Sequence, residues 1–312
     1  MKKVTPISVG IISYPGALTS AIYGLRDMFQ VANNLHARRE VDNRELVITT
    51  IDTEYSLPSE QFQVFILPPS IQDDFIDDFF PVWKSWMLQQ HQMGAIACSI
   101  CAGAFRLAET GILDSRPATT HWALAELFSK NYPKVLLNTD KLIIDDNDVI
   151  TAGGMMAWGD MGLRIIERFL GKETMLLVSS YFLIEPSGRE QSYYSSFKPS
   201  LSHKDKQVLK VQHWLQKNNN SVIGMQEMAE VANLSERTLL RRFKKATGYT
   251  PSEYLQNVRI DKAKELLKQQ LRVDDVAWQV GYKDSNSFRR VFHKVVSLSP
   301  SEFRNRFASR YN

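Results

Sequence analysis

Two stretches near the carboxyl end of this 312-residue chain repeat one another. Met228-Ala229 matches Val276-Ala277 at an offset of 48 residues, and further matches follow at an offset of 49. The residues matched at the larger offset are Leu239, Arg241, Phe243, Pro251, Ser252, Glu253 and Tyr254 with Phe288, Arg290, Phe292, Pro300, Ser301, Glu302 and Phe303. One residue has therefore been added where Asn233-Leu234-Ser235 corresponds to Gly281-Tyr282-Lys283-Asp284. An insertion at this one place predicts two helix–turn–helix units whose turns differ by one residue.

Each predicted unit, 225–246 and 273–295, makes physical sense by itself. Ser235 and Asp284 precede the second helix of their units, where a side-chain oxygen can accept a free backbone N–H. Small Ala229 lets the two helices of the first unit cross closely. The inward-facing pairs, four residues apart, are Leu239 with Phe243 and Phe288 with Phe292.

The outer faces of these second helices carry side chains suited to DNA. Arginine and asparagine match guanine and adenine edges in the major groove, and nearby lysines can hold phosphates. Two ordinary hairpins with basic solvent faces are the alternative, which the matching caps, aromatics and arginines disfavour. The predicted DNA-binding residues are Arg237, Thr238, Leu240, Arg241, Asn286, Ser287, Arg289 and Arg290.

The charge distribution agrees with a polyanionic partner for the carboxyl-terminal part. Residues 1–190 carry 16 Lys and Arg against 23 Asp and Glu, a net charge of −7. Residues 191–312 carry 22 against 11, a net charge of +11. A lysine-rich solvated surface would give the same count, so that charge alone leaves both interpretations open.

One continuous helix is predicted between the two units, over Pro251 to Lys268. Its eighteen residues span about 27 Å at 1.5 Å each. A rigid spacer of this length could place two recognition helices in successive major grooves, roughly 34 Å apart. One chain would then read two segments of a site.

The motifs of this region resemble those of the AraC/XylS transcription factors. The pattern Ser-x-Arg-x-Leu-x-Arg-x-Phe-Lys-x-x-x-Gly-x-x-Pro-x-x-Tyr occupies Ser235 to Tyr254. Similar residues follow at Arg259, Ala263, Leu266-Leu267, Val276-Ala277, Gly281-Tyr282, Ser287-Phe288, Arg290 and Phe292-His293-Lys294. The resemblance covers about residues 205–308, and it implies a seven-helix DNA-binding domain whose base contacts come from the two helices described above.

The first 185 or so residues alternate strand-like and helix-like patterns. Short apolar runs at 7–13, 46–51, 64–67 and 95–98 are separated by longer amphipathic stretches, such as 18–35 and 71–90. Such alternation predicts an α/β domain, with a parallel sheet sandwiched by helices. A further helix is predicted over Met155–Leu170, ending at Gly171 as its C-cap.

A cysteine follows the fourth predicted strand directly, in Ala97-Cys98-Ser99-Ile100-Cys101-Ala102-Gly103. Cys101 on a tight strand-to-helix turn has the geometry of a nucleophile elbow, where a helix N-terminus favours the thiolate. His121 lies twenty residues further on and could return to it. With Thr151-Ala152-Gly153-Gly154 and Asp160, this ensemble resembles the ThiJ/PfpI branch of the class I glutamine amidotransferase-like (flavodoxin-like) fold. It is similar in particular to the form fused to an AraC-type tail in GlxA-type bacterial regulators.

Two supports for catalysis are missing from the sequence. Relatives carry an acidic residue on the first helix, where this chain has Ala21, and a Gly-Gly after the third strand, where it has Pro68-Pro69-Ser70. Proline has no N–H to offer an oxyanion. We therefore predict no enzyme activity, with Cys101 and His121 as vestigial catalytic residues and Cys101, Ala102 and His121 as a site for a small molecule. A Cys101-based thiol-redox sensor, a residual amidase or hydrolase, and a merely buried thiol remain the alternatives.

Two further clusters have a structural and a functional interpretation. Tryptophans 83, 86, 122 and 158 could form a cage for a cation, although their helical spacing favours core packing. Asp73, Asp74, Asp77 and Asp78 could be a solvated helix start.

The predicted organisation is a sensor and dimerisation domain over 1–185, a polar linker over 186–203 and a DNA-binding domain over 204–312. The sequence predicts a cytoplasmic protein without a membrane segment, since it has no apolar run of eighteen residues and no signal-like start. No cofactor and no metal site are expected, because Cys98 and Cys101 make only half of a zinc motif. The expected partners are promoter DNA, a small-molecule effector such as an amino acid or amine, a second copy of the chain, and RNA polymerase if the protein activates transcription.

Overall fold

The computed structural model describes residues 4–54, 57–72, 80–186, 190–197, 199, 201 and 203–308. The chain divides into two compact units, Met1–Gln191 and Ser192–Asn312. In the part of the chain that the structure describes, no helix has both the length and the apolar character needed to cross a lipid bilayer.

The first unit is built on a six-stranded sheet of order β2-β1-β3-β4-β8-β7, in which only the edge strand β7 is antiparallel to its neighbour. A separate parallel pair joins β5 to β6. The four apolar runs predicted as strands are confirmed as β1 to β4. The strands are β1 (Thr5–Ser13), β2 (Arg44–Asp52), β3 (Val64–Leu67), β4 (Ile96–Ile100), β5 (Pro117–Ala118), β6 (Leu136–Leu137), β7 (Ile143–Asp146) and β8 (Val149–Ala152).

Helices cover both faces of this sheet, as the alternating pattern predicts. Residues that alternate along each strand join opposite cores: Ile66 packs in one cluster, and its neighbours Phe65 and Leu67 pack in the other. Gly171 ends α5 at φ +89°, which confirms the predicted glycine cap. The α-helices of this unit are α1 (Thr19–Ala37), α2 (Phe80–Gln92), α3 (Gly103–Glu109), α4 (Ala125–Asn131), α5 (Trp158–Leu170) and α6 (Lys172–Phe182), and a single 3-10 turn covers Trp122–Leu124.

Within the predicted helical stretch 71–90, the residues from Phe80 onwards belong to α2. The four aspartates of its first part, Asp73, Asp74, Asp77 and Asp78, lie outside the described residues.

The described part of the second unit contains seven α-helices and no strand. Asp205 caps the first of them by accepting the backbone N–H groups of Gln207 and Val208, both at 3.2 Å. The helices are α7 (Lys206–Asn218), α8 (Met225–Ala232), α9 (Glu236–Thr247), α10 (Pro251–Lys268), α11 (Val273–Gln279), α12 (Ser285–Val296) and α13 (Pro300–Phe307).

The long helix α10 belongs to both cores of this unit. Tyr254 and Leu255, near its start, pack with the first helix–turn–helix, and Ile260, Ala263 and Leu267 pack with the second. Burying a large apolar side chain stabilises the folded state by roughly 1.5–3 kcal/mol relative to leaving it exposed. Both helix–turn–helix units are therefore held firmly against α10. The predicted spacer helix is confirmed over its whole length.

The segment predicted as a polar linker is partly packed in the structure. Gln191 is 2% exposed and belongs to the first unit, while Ser192 and Tyr193 are 4% and 3% exposed and belong to the second. Polar composition indicates a solvated chain only on average, since a side chain that finds hydrogen-bond partners can be buried.

Candidate functional site

The first recognition helix, α9, begins as the sequence predicts. Asn233 takes a left-handed conformation at φ +52° and turns the chain between α8 and α9. Ser235 Oγ then accepts the backbone N–H of Thr238 at 3.3 Å. Leu239 and Phe243 are completely buried. The cap and the inward pair together fix which face of α9 points outward.

The second recognition helix, α12, has the same construction. Gly281, at φ +82°, occupies the turn position that Asn233 has in the first unit. Asp284 Oδ1 accepts the N–H of Ser287 at 2.8 Å, and Phe288 and Phe292 are completely buried. The repeat detected in the sequence is therefore a repeat of backbone geometry.

The eight predicted DNA-binding residues all lie on these two helices. Thr238 and Ser287 are half-buried, because they lie beside the two N-caps. The other six side chains are exposed: Arg237, Leu240, Arg241, Asn286, Arg289 and Arg290. Contact of these side chains with bases stays a prediction.

Among the differences between the two helix–turn–helix units, one pair of positions joins the two helices of a unit, and the repeat alone does not reveal it. Asp274 on α11 binds Arg289 on α12, with 3.0 Å between Oδ1 and Nη2. At the offsets of 48 and 49, the corresponding residues of the first unit are Gln226 and Leu240. Gln226 donates to Glu230 on its own helix, and Leu240 is 44% exposed. The signal that could have revealed this difference is the simultaneous change of both members of the pair.

Arg242 serves the structure of the helical unit. Its guanidinium donates to both carboxylate oxygens of Asp205, at 2.8 and 2.6 Å. These hydrogen bonds lower the pKa of Asp205. Arg242 thus ties α9 to the first turn of α7.

A polar junction connects the two helix–turn–helix units within this domain. Arg259 on α10 donates to the carbonyl oxygens of Asn219 and Ser221, at 2.7 and 2.6 Å, and lies 5.4 Å from the centre of the Tyr282 ring. A Cβ on Gly281 would lie 2.9 Å from the carbonyl oxygens of Asn219 and Asn220. The end of α7 therefore packs against the turn of the second helix–turn–helix unit. This contact fixes the distance between the two recognition helices.

In the amino-terminal compact unit, Met1–Gln191, Cys101 lies on a strand-to-helix turn, as predicted. It has φ +54°, a strained conformation for a residue other than glycine, and its N–H donates to Ala152 O at 2.7 Å. Its side chain is not poised as a thiolate. Cys101 is 3% exposed, and burial raises the pKa of its thiol to about 11 although the backbone of Ala102 and Gly154 hydrogen-bonds to it. The thiol is therefore protonated at neutral pH, in contrast to the thiolate expected from the helix N-terminus.

His121 is half-buried and its ring is already used by the backbone. Its Nδ1 accepts the N–H of Ala123 at 3.1 Å, and burial lowers the pKa of the imidazole. Among the hydrogen bonds of the described residues, none joins this ring to the Cys101 thiol. A protonated thiol without an imidazole hydrogen-bonded to it is a poor nucleophile.

The loop after β3 offers oxygen atoms to the elbow. A Cβ on Gly103 would lie 2.6 Å from the carbonyl oxygens of both Leu67 and Pro68. Pro68 O also accepts a hydrogen bond from the Tyr14 hydroxyl. Ala21 on α1, at the position where the sequence lacks the acidic residue of catalytic relatives, is completely buried. An oxyanion is stabilised by N–H donors. The two prolines of this loop have no N–H to donate.

The tryptophans are divided between the two faces of the sheet. The ring centres of Trp83 and Trp86, both on α2, lie 5.5 Å apart in the core on one face of the sheet. Trp158 packs against the core on the opposite face. Core packing is confirmed for these three, and they cannot close one cage.

Comparison with known proteins agrees with this architecture. Residues 40–168 match the model of the DJ-1/PfpI family, and residues 228–306 match the model of a helix-turn-helix domain. The chain joins a DJ-1/PfpI domain to an AraC-type helix-turn-helix domain. The resemblance seen in the sequence motifs is thereby confirmed for both parts.

Several curated proteins are similar to both domains at once. The HTH-type transcriptional regulators GbdR and CdhR of Pseudomonas aeruginosa are 27% and 28% identical, over 222 and 228 residues. These alignments cover 70% and 72% of this chain, and 60% and 67% of the relatives. The HTH-type transcriptional regulator GlxA of Rhizobium meliloti is 26% identical over 227 residues, which are 70% of this chain and 68% of GlxA.

Proposed function

We propose that this protein is a sequence-specific DNA-binding regulator of transcription. The observation that carries the proposal is the pair of recognition helices α9 and α12. Each has a side-chain N-cap, a buried apolar pair and an outer face of exposed polar and cationic side chains. Both are held to the single rod α10, whose length of about 27 Å suits successive major grooves. The names of the similar proteins, which are transcriptional regulators, support the same function.

In this proposal the DJ-1/PfpI unit receives a small molecule near Cys101, Ala102 and His121, and it does not catalyse a reaction. The buried, protonated thiol and the proline loop support binding over turnover. Effector binding would alter how two copies of the chain hold DNA. Dimerisation, activation rather than repression, and contact with RNA polymerase belong to the same proposal and follow from the resemblance.

The test is a selection of random DNA duplexes on the full chain, followed by binding measurements on the selected sequence. Arg241→Ala and Arg290→Ala are each expected to weaken binding by about 1–3 kcal/mol and to relax the preference at one base pair. Lys262→Ala is the control, since Lys262 is an exposed cation of α10 that pairs with Glu265 at 3.1 Å. Failure to select any sequence would refute the proposal, and a uniform loss on all duplexes would reduce the two arginines to phosphate contacts.

A further inference from the structure

The last residue of the DJ-1/PfpI unit inserts its side chain into the interior of that unit. Gln191 is 2% exposed. Its Nε2 lies within hydrogen-bond distance of three oxygens, Thr120 O at 2.8 Å, Lys141 O at 2.9 Å and Thr119 Oγ1 at 3.0 Å. Its Oε1 accepts the N–H of Trp122 at 3.0 Å. All four partners belong to the same unit as Gln191.

The donors and acceptors around this amide do not match one to one. Three oxygen atoms surround one nitrogen, but a carboxamide has only two N–H donors. The Thr119 hydroxyl compensates in part, because it also lies 2.9 Å from Lys141 O. A primary ammonium has three donors and a positive charge, so that it could serve all three oxygens directly.

This cluster of oxygens adjoins the Cys101 elbow. Thr120 Oγ1 donates to Cys101 O at 2.7 Å, while Thr120 O accepts from Gln191. A Cβ on Gly153 would lie 1.9 Å from Gln191 Nε2, so that only glycine leaves room for the amide there. Gly153 follows Ala152, the residue that accepts the Cys101 N–H. Removing the amide would therefore open space beside the proposed effector pocket.

The chain that follows Gln191 is anchored in the helix-turn-helix unit. Ser192 Oγ donates to Val296 O at 3.1 Å, and Lys264 on α10 donates to Ser192 O at 2.9 Å. Tyr193 is buried in the core that contains Phe292. One peptide bond therefore joins Gln191, the last residue of one unit, to Ser192, which is held by α10 and α12 in the other.

We propose that Thr119 Oγ1, Thr120 O and Lys141 O form a subsite for the primary ammonium group of the effector, which Gln191 occupies in the absence of that ligand. This inference rests on the proposed effector-controlled function. The effector competes with an amide that is tethered to the same chain, so that its affinity is lower for the wild type than for a chain without this amide. Displacement of Gln191 signals to the helix-turn-helix unit through Ser192.

The experiment compares Gln191→Ala with Gln90→Ala in the full chain. Gln90 is also buried, at 3% exposure, but its amide binds a single carbonyl, Glu60 O, and accepts only the N–H of Phe62. Thermal unfolding is followed by tryptophan fluorescence, which reports mainly on the DJ-1/PfpI unit because residues 1–191 contain four of the six tryptophans. The probes are ethylammonium, acetamide and tetramethylammonium chloride, at matched ionic strength.

We expect ethylammonium to raise the melting temperature of Gln191→Ala by about 3 °C more than that of Gln90→Ala. Tetramethylammonium, which has no N–H, should not do so, and the wild type should respond less than Gln191→Ala. An equal response of the two variants would overturn the subsite, and an equal effect of acetamide would overturn the choice of an ammonium. If Gln191→Ala does not fold, Gln191→Ser carries the same comparison, because its short side chain also leaves the three oxygens unoccupied.

The same samples are titrated with the selected duplex. Gln191→Ala should change DNA affinity by about threefold or more, and Gln90→Ala should leave it unchanged. Unchanged affinity in Gln191→Ala would overturn the signalling step. If the wild type binds no sequence selectively, the proposed function fails, and the ammonium comparison still decides whether the subsite exists.

Discussion

Asp274 binds Arg289 across the turn of the second helix–turn–helix, with 3.0 Å between carboxylate oxygen and guanidinium nitrogen. The first unit has Gln226 and Leu240 at the equivalent positions. The two recognition helices therefore present different chemistry to DNA. In the second, a carboxylate already pairs with an arginine that we predict to contact DNA.

Replacing Asp274 by asparagine should strengthen DNA binding. The change removes the ionic attraction that holds Arg289, because an amide oxygen is a weaker, uncharged acceptor, and it takes a negative charge from the surface that would face phosphates. Binding is expected to tighten on the order of threefold to tenfold at low salt, with a smaller effect as salt rises. The measurement is fluorescence anisotropy with the selected duplex over a range of salt concentrations.

Asp275→Asn is the control for this variant. Asp275 has the same charge on the same helix, but it pairs with Arg272 at 2.8 Å and not with the recognition helix. A gain of equal size in both variants would mean that general charge, rather than release of Arg289, determines the affinity.

Leu240 is predicted to contact a thymine methyl group. It is 44% exposed on the outer face of α9, beside the exposed Arg241, and an apolar side chain there can read only an apolar feature of the groove. Substituting uracil for the contacted thymine should cost wild type about 0.8 kcal/mol, roughly fourfold in affinity. The same substitution should have no effect in Leu240→Ala. Equal losses in both proteins at every thymine would exclude this contact.

Gly281→Ala should destabilise the helix-turn-helix unit more than Gly248→Ala does. Both glycines have left-handed backbones, at φ +82° and +79°, so that both variants carry a conformational cost of about 1 kcal/mol. Only at Gly281 would the new Cβ lie 2.9 Å from backbone atoms, those of Asn219 and Asn220. Overlap of this kind adds roughly 1–3 kcal/mol. Urea unfolding followed by circular dichroism measures both costs, and equal values would mean that the end of α7 moves freely away from the turn.

Cys101 should react slowly with iodoacetamide at neutral pH. Its thiol, with a pKa raised to about 11 by burial, is protonated there, so that the rate should rise about tenfold per pH unit well above pH 8. The folded chain keeps this proton to a higher pH than the unfolded chain, in which the pKa of a cysteine is about 8.5. The stabilisation of the folded state by this raised pKa is therefore fully present below about pH 8.5, and it is lost as the pH rises towards about 11.

This measurement uses Cys98→Ala, so that Cys101 is the remaining cysteine. Peroxide should not change DNA affinity in this variant or in wild type. A reaction with a midpoint below pH 8, or DNA binding that peroxide alters only when Cys101 is present, would instead support the thiol-redox sensor.

Much of the fold can be predicted because its signals are local. The N-caps Ser235 and Asp284 act on backbone groups three residues away. Apolar period along the chain indicates which face of a helix or strand is buried, and a strand buried on both sides appears as a continuous apolar run. The elbow at Cys101 is predictable for the same reason, since it follows directly from the end of β4.

The state of the candidate sites could not be predicted in this way. Arg289 pairs with a carboxylate fifteen residues earlier, and Gln191 binds Thr119 seventy-two residues away. Neither spacing follows from a helix or strand period. The raised pKa of Cys101 likewise depends on how completely other segments cover it, and Gln191 lies in a stretch whose composition is that of a solvated linker.

The sequence by itself therefore determined the two-domain architecture, the paired recognition helices, the rod between them and the position of the elbow. All of these depend on residues within a few positions of one another or on a repeat along the chain. Only the tertiary structure decided which arginine is already paired, whether the thiol is ionised, and which amide occupies the cluster of oxygens beside it. Desolvation and hydrogen bonding between distant segments control these properties, and both exist only once the chain has folded.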